Sequence, residues 1–316
     1  MNQNSMAIII LCSHLCVGES VKPFEPAEWA KLADRLVNNG IQPYEILSFT
    51  DKDFESRLNC SAVEIHRFNR LIERSGSLAF EIERYANMGI NIMTRADNFF
   101  PKPLKRKLAK NCPPLFYYIG RPELADMKFA GFVGSRNVKP DDGNFTVAAV
   151  AKINAKGLAV VSGGAKGIDA IASAASIENG SYCVEYIADS LINKIKHKNV
   201  INAVINNRLL ILSVAKPDSG FTTGIAMMRN KYIYAQSDGT VVVKADYNKG
   251  GTWSGALSNL DKQWCVTFCW NNAEYQGNTE LINRGAIPID DTWDGDIYKY
   301  EVCKKESHEQ LSLFNI

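Results

Sequence analysis

The residues of this 316-residue chain best suited to chemistry stand in short glycine turns. Gly134-Ser135-Arg136 ends the apolar run Phe129 to Val133, and Ser162-Gly163-Gly164-Ala165-Lys166-Gly167 ends the run Leu158 to Val161. Glycine lets an anion approach main-chain N–H groups closely. Ser135 and Ser162 add hydroxyl donors, Lys166 adds charge, and Arg136 can grip a phosphate through two parallel N–H bonds. A third turn, Gly250-Gly251-Thr252, follows the β-branched run Thr240 to Ala245. Together they predict a floor for phosphate. Asp169, just after the second turn, is suited to orienting that loop or capping the next helix. Thr222 and Thr223 precede a helical stretch holding Arg229-Asn230-Lys231. The two threonines suit a cap or a phosphate, and by spacing alone Arg229 and Lys231 serve to neutralise a helix C-terminus.

The elements must bring these turns together. Between the first two turns the pattern predicts one helix, capped by Asn144, with Val147, Val150, Ala151 and Ile153 facing inward and Gly157 as the left-handed stop. Strand, turn, helix, strand, turn is a βαβ unit, parallel and right-handed, so both turns open at one sheet edge. That edge, where strand carboxyl ends meet helix N-termini, favours anions. Further strands are predicted over residues 182–187, 209–214, 240–245 and 265–268. Residues 1–95 read as a helical N-terminal domain with Pro26 opening one helix and Ser61-x-x-Glu64 a capping box before another. Met88 to Arg95 reads as a strand into the linker. Residues 96–289 form the main α/β domain and 290–316 an acidic tail.

Composition adds bounds. With 46% hydrophobic residues the chain can bury a full core and a smaller one. A net charge of +2 does not by itself point to nucleic acid, so any such affinity must come from local clusters. The basic runs are Lys102, Lys105, Arg106, Lys107 and Lys110, and Lys194 to Lys198. Eight cysteines without a C-x-x-C pair predict reduced thiols, no metal site and a reducing cytoplasm. No apolar run is long enough to span a bilayer, and no signal peptide or anchor is expected.

The motifs Gly134-Ser135-Arg136 and Ser162-Gly-Gly-Ala-Lys-Gly-Ile-Asp169 resemble the core of the DNA-processing protein A (DprA/Smf) family. The similarity extends upstream through Asn98-Phe-Phe-Pro101 and Pro113-Pro-Leu-Phe-Tyr117, and downstream through Arg229-Asn-Lys231, Gly250-Gly-Thr252 and Gly277-Asn278. It implies an α/β fold with an extended Rossmann-like, parallel-core sheet beside the N-terminal helical domain. It also implies a non-catalytic protein without cofactor that binds single-stranded DNA, partners a RecA-type recombinase and forms a homodimer, with Arg229 and Lys231 on the DNA. Lys166 and Ala172-Ser173 depart from the family, which carries Arg and an Ala-His pair there, and the family's frequent C-terminal winged helix is absent. The chain finishes Gln310-Leu311-Ser-Leu313-Phe314, resembling peptides that dock on the replication sliding clamp. Two further roles fit the same residues. One is a component of a phage-defence or toxin–antitoxin module that neutralises a partner toxin. The other is a nucleotide sensor or nucleoside-monophosphate hydrolase, which lacks a Glu beside Gly250-Gly251-Thr252.

Overall fold

The computed structural model describes residues 2–18 and 21–300, and its contacts divide the chain into two compact units. The first reaches Ile119 and includes the short segment Val214–Pro217. It holds α1 (Gln3–Cys12), α2 (Pro26–Asn38), α3 (Asp51–Leu58), α4 (Ala62–Glu73) and α5 (Ser75–Ala86). After these come β1 (Asn91–Thr94), α6 (Lys102–Leu108) and β2 (Leu115–Gly120), with Ile92 of β1 opposite Tyr117 of its antiparallel partner. The Ser61 hydroxyl accepts from Glu64 N, and the Glu64 carboxylate accepts from Ser61 N, so the capping box starts α4 as its spacing predicts. β1 is shorter than expected because residues 87–89 close α5, with Gly89 at φ +77°. Arg74, buried between α4 and α5, donates to the Ile10 and Leu15 carbonyls at the end of α1.

The second unit carries β3 (Phe129–Val133), α7 (Pro140–Ala155), β4 (Ala159–Ser162), α8 (Ile168–Glu178) and β5 (Cys183–Tyr186). It continues through α9 (Leu191–Lys194), α10 (Lys198–Ile205), β6 (Leu209–Ser213), α11 (Thr223–Gln236) and β7 (Gly239–Val242). It ends with α12 (Gly250–Lys262), β8 (Val266–Trp270), α13 (Gln276–Asn283) and β9 (Ile287–Ile289). These seven strands run parallel in the order β6-β5-β4-β3-β7-β8-β9. Every residue of β3 to β8 is buried, as expected for strands covered by helices on both faces. From β3 the chain builds outward to β6, then returns to the other side of β3 with β7. That reversal leaves a crevice beyond the carboxyl ends of β3 and β7, where α/β sheets bind ligands.

Two local readings change. α7 begins at Pro140, whose fixed φ suits a first turn, and the Asp142 carboxylate accepts from Lys139 N at 2.8 Å. Asn144 is therefore inside the helix and exposed. With the earlier start, Phe145, Thr146, Ala149, Val150 and Ile153 face inward, whereas Val147 and Ala151 are exposed. Gly157 does take the left-handed conformation, at φ +78°. The acidic stretch after Ile289 is also tied to the sheet up to Tyr300: Trp293 and Ile297 are buried, and the Trp293 ring lies 5.4 Å from that of Phe268. Gln310, Leu311, Leu313 and Phe314 lie outside the described residues. Of the seven described cysteines only Cys16 is exposed, and no group of potential metal ligands occurs among the described residues. No described helix is long and apolar enough to cross a membrane.

The end of β7 is fixed by Gly277 and Asn278. A Cβ at Gly277 would come 2.1 Å from the Ala245 carbonyl, so only glycine lets α13 approach that closely. Buried Asn278 then accepts from Ala245 N at 2.9 Å and donates to the Val243 and Trp270 carbonyls, each at 2.8 Å. Removing the amide leaves three main-chain groups without partners, at about 1–3 kcal/mol each where water cannot replace it. Asn278→Leu is expected to lower unfolding stability by about 3 kcal/mol or more. A denaturant midpoint equal to that of the parent protein would show that these bonds carry no stability.

Candidate phosphate-binding site

The crevice at the strand-order reversal is a cavity of about 720 Å³. Its walls come from the turn after β3 (Gly134 to Asn137), the α11 face (Thr223, Met227, Arg229 and Asn230) and the loop from β7 into α12 (Lys244 to Thr252). Two of the three predicted turns therefore open into it directly. Gly250 takes φ +77°, and α12 starts without a side-chain cap or an acidic residue in its first turn. Its free N–H groups and positive dipole end suit an anion. Ser135 N donates to the Lys244 carbonyl at 2.9 Å, and the Ser135 hydroxyl accepts from Asn137 N at 3.1 Å. Arg136 is exposed at the cavity, its guanidinium 5.1 Å from the centre of the Phe221 ring. Lys249, also exposed, precedes the glycines.

The turn after β4 has a different job. Ser162 is buried and its hydroxyl donates to the Phe132 carbonyl at 2.7 Å, so the expected phosphate donor instead joins two strands. A Cβ at Gly163 would lie 1.5 Å from Arg229 Nη1, one at Gly164 2.4 Å from Glu185 Oε2, and one at Gly167 2.4 Å from the Ser135 carbonyl. These glycines make room for neighbouring groups of the protein. Lys166 is exposed outside the cavity wall, to which this turn gives only Ala165. Arg229 Nη1 sits 3.2 Å from Asp169 Oδ2, and both side chains are more than nine-tenths buried. Burial pushes the Asp169 carboxyl up, and the Arg229 guanidinium opposes it. Arg229 and Asp169 thus pair with each other at the cavity wall, and Asp169 also accepts a main-chain bond from Ala165, which ties it to the loop before α8.

The remaining expected residues divide by position. The Thr222 hydroxyl accepts from Ile225 N at 3.2 Å and caps α11, while Thr223 lines the cavity. Asn230 Nδ2 donates to the Gly251 carbonyl at 2.9 Å and so ties α11 to the start of α12. Lys231 is exposed and lines a smaller groove between those helices. Residue types alone missed Lys244, Asp246, Lys249, Phe221 and Tyr234. The signal for Lys244 was a lone charge closing a β-branched run, and for Lys249 its place directly before Gly250. Lys244 is buried, with Nζ donating to the Asn137 carbonyl at 2.9 Å and lying 3.2 Å from Asp142 Oδ2. The other Asp142 oxygen accepts from the Tyr275 hydroxyl at 2.5 Å. Burial alone would raise the Asp142 carboxyl, but Tyr275, the Lys139 N–H and Lys244 together hold it below the usual carboxylate range.

An open parallel sheet with a cavity at its strand-order reversal defines a Rossmann-like α/β protein. The family model of DNA recombination-mediator protein A matches residues 91–297, and the chain belongs to that family. Its fold is similar to the X-ray structure of DNA processing protein A from Streptococcus pneumoniae, with 21% identity, a TM-score of 0.63, and coverage of 84% of this chain and 95% of that one. A second similar structure reports the single-stranded DNA binding mode of DNA processing protein A from Helicobacter pylori. It has 26% identity and a TM-score of 0.54, and covers 63% of this chain and 90% of that one. No match was found among curated proteins.

Substitutions around the two buried ion pairs test the geometry. Gly163→Ala displaces Arg229 from Asp169 and leaves a buried carboxylate unpaired, which costs about 3–5 kcal/mol. The loss should be strongly non-additive with Arg229→Met in a double-mutant cycle; additive losses would mean that the two residues are not coupled. Asp142 has a depressed pKa, so its stabilisation is present above the unfolded value of about 3.9 and is lost as pH falls through the folded one. Lys244→Met removes its cation, and the deficit against the parent protein, about 3 kcal/mol near neutrality, should shrink on acidification as Asp142 protonates. Chemical unfolding across pH checks this, and a pH-independent deficit contradicts it.

Proposed function

We propose that this protein binds single-stranded DNA through backbone phosphates and catalyses no reaction, with Arg136, Lys249 and the Gly250-Gly251-Thr252 start of α12 as the primary grip. The observation that carries the reading is the meeting of the Gly134-Ser135-Arg136 turn and the uncapped α12 N-terminus in one cavity at the reversal of strand order. Family membership supports it, as does the similarity to the Helicobacter pylori protein, whose structure reports single-stranded DNA binding. Partnership with a RecA-type recombinase and homodimer formation belong to the same proposal through the family. No base-edge reader is needed, because phosphate contacts position a strand without reading its sequence.

A second reading draws on the cavity's size, which lies within the range of about 300–1,000 Å³ common for small-ligand pockets. A mononucleotide would fit there, and exposed Asp246 supplies a carboxylate that a hydrolase would need. Asp169 is already engaged by Arg229, which favours binding over hydrolysis. Affinity for oligo-thymidylate should fall steeply with salt, and Arg136→Ala should weaken it several-fold while reducing the slope of log K against log salt by about 0.7. Affinity that is flat in salt refutes the phosphate grip; release of free base from nucleoside monophosphates would place the hydrolase reading first.

A further inference from the structure

The first half of α11 exposes side chains that packing does not explain. Met227 is 58% exposed and Met228 42%, whereas Tyr232 to Gln236 at the other end of the same helix are buried. These methionines border a second groove of about 110 Å³, walled on the α12 side by small residues and ending at Trp264. The groove and the phosphate cavity share Met227, Asn230, Gly251 and Ser254, so they adjoin over α11 and α12, on either side of the Asn230–Gly251 bond. Lys231 supplies a cation along the groove, as Arg136 and Lys249 do at the cavity.

Cations interleaved with apolar and aromatic side chains along a track match a polynucleotide, which alternates anionic phosphates with flat apolar bases. An amphipathic peptide helix would require a continuous apolar trough without a central cation. On the reading of the cavity as a polynucleotide phosphate site, we infer that the α11–α12 groove is a base-contacting extension of it. The strand leaves the cavity past Met227, Lys231 engages a following phosphate, and a base packs against Met228 and Trp264. Methionine adapts to rings of different shape, and an aromatic face stacks on any base, so such a surface binds without sequence preference.

The test compares a thymidylate octamer with an abasic octamer carrying the same phosphates, using the full chain. The thymidylate strand should bind about ten-fold more tightly, and that advantage should vanish in Trp264→Ala and shrink in Met228→Ser, with the salt slope unchanged. Trp264→Phe keeps a stacking face and should keep most of the advantage, separating lost base contact from misfolding. Fluorescence of Trp264, taken as the difference between the parent protein and Trp264→Phe, should be quenched by thymidylate. Equal affinity for both octamers, or an advantage untouched by Trp264→Ala, overturns the base track while leaving the phosphate grip standing. Failure to bind either octamer overturns both, and displacement of neither strand from the groove by an added apolar helix peptide supports nucleic acid as its occupant.

Discussion

The arrangement of this site depends on one buried ion pair, Arg229 with Asp169, in the space left by the missing side chain of Gly163. Two charges taken from water gain little net stability from each other, but either one alone in that place is costly. The side chain of α11 must therefore reach the first turn of α8, and it can do so only over a glycine at the end of β4. Asn230, next in sequence, turns to the Gly251 carbonyl, so the same short stretch of α11 also holds the start of α12. One wall of the cavity is thus set by contacts internal to the protein, before any ligand enters.

This division of labour sorts the glycines and the cations. Gly163, Gly164 and Gly167 admit protein atoms, and Gly251 admits the Asn230 side chain, while at Gly250, in the cavity lining, no atom lies within 4 Å of where a Cβ would stand. Arg229 and Lys244 are balanced by Asp169 and Asp142, and their electrostatic effect outside is correspondingly small. Arg136 and Lys249 are exposed at the cavity, and any attraction they exert on an anion is therefore sensitive to salt. The Lys244 ammonium, which binds the Asn137 carbonyl, and its own carbonyl, which accepts from Ser135 N, bracket Arg136 between them. A neutralised buried cation thereby positions an exposed one.

Much of the fold was legible in the sequence because a parallel strand leaves a strong local mark: an apolar run, a glycine turn, then a helix. The βαβ unit around Gly134 and Gly163, the capping box at Ser61 and the stop at Gly157 all follow from rules acting within a few residues. The start of α7 is harder to place, because Asn144 suits a cap by type while Pro140 suits a first turn, and the helix starts at the proline with Lys139 as its N-cap. Site roles were less legible. Ser162 and Arg229 have the chemistry of phosphate ligands, and what engages them within the protein is a long-range fact, the neighbour each meets, the Phe132 carbonyl for one and Asp169 for the other. Tyr275 and Asp142 stand 133 positions apart, and no spacing rule connects them.

The same distinction explains how a chain with a net charge of +2 can gather exposed cations at one cavity. The basic clusters most visible in the sequence are partly structural: Lys194 donates to the Gly164 carbonyl and pairs with Glu185, and Lys105 donates to the Arg95 carbonyl with its ammonium pushed down by burial. Lys139 pairs with Glu274 on the surface. What matters to a phosphate is the potential within roughly a Debye length, about 10 Å at moderate salt, and that is set by which cations remain uncompensated there. Arg136 and Lys249 each stand alone in sequence, so neither forms a basic run, yet the parallel sheet carries the ends of β3 and β7 to one edge and sets both at one cavity. Topology concentrates charge that composition dilutes, which is why net charge is a poor guide to nucleic-acid binding for a fold of this kind.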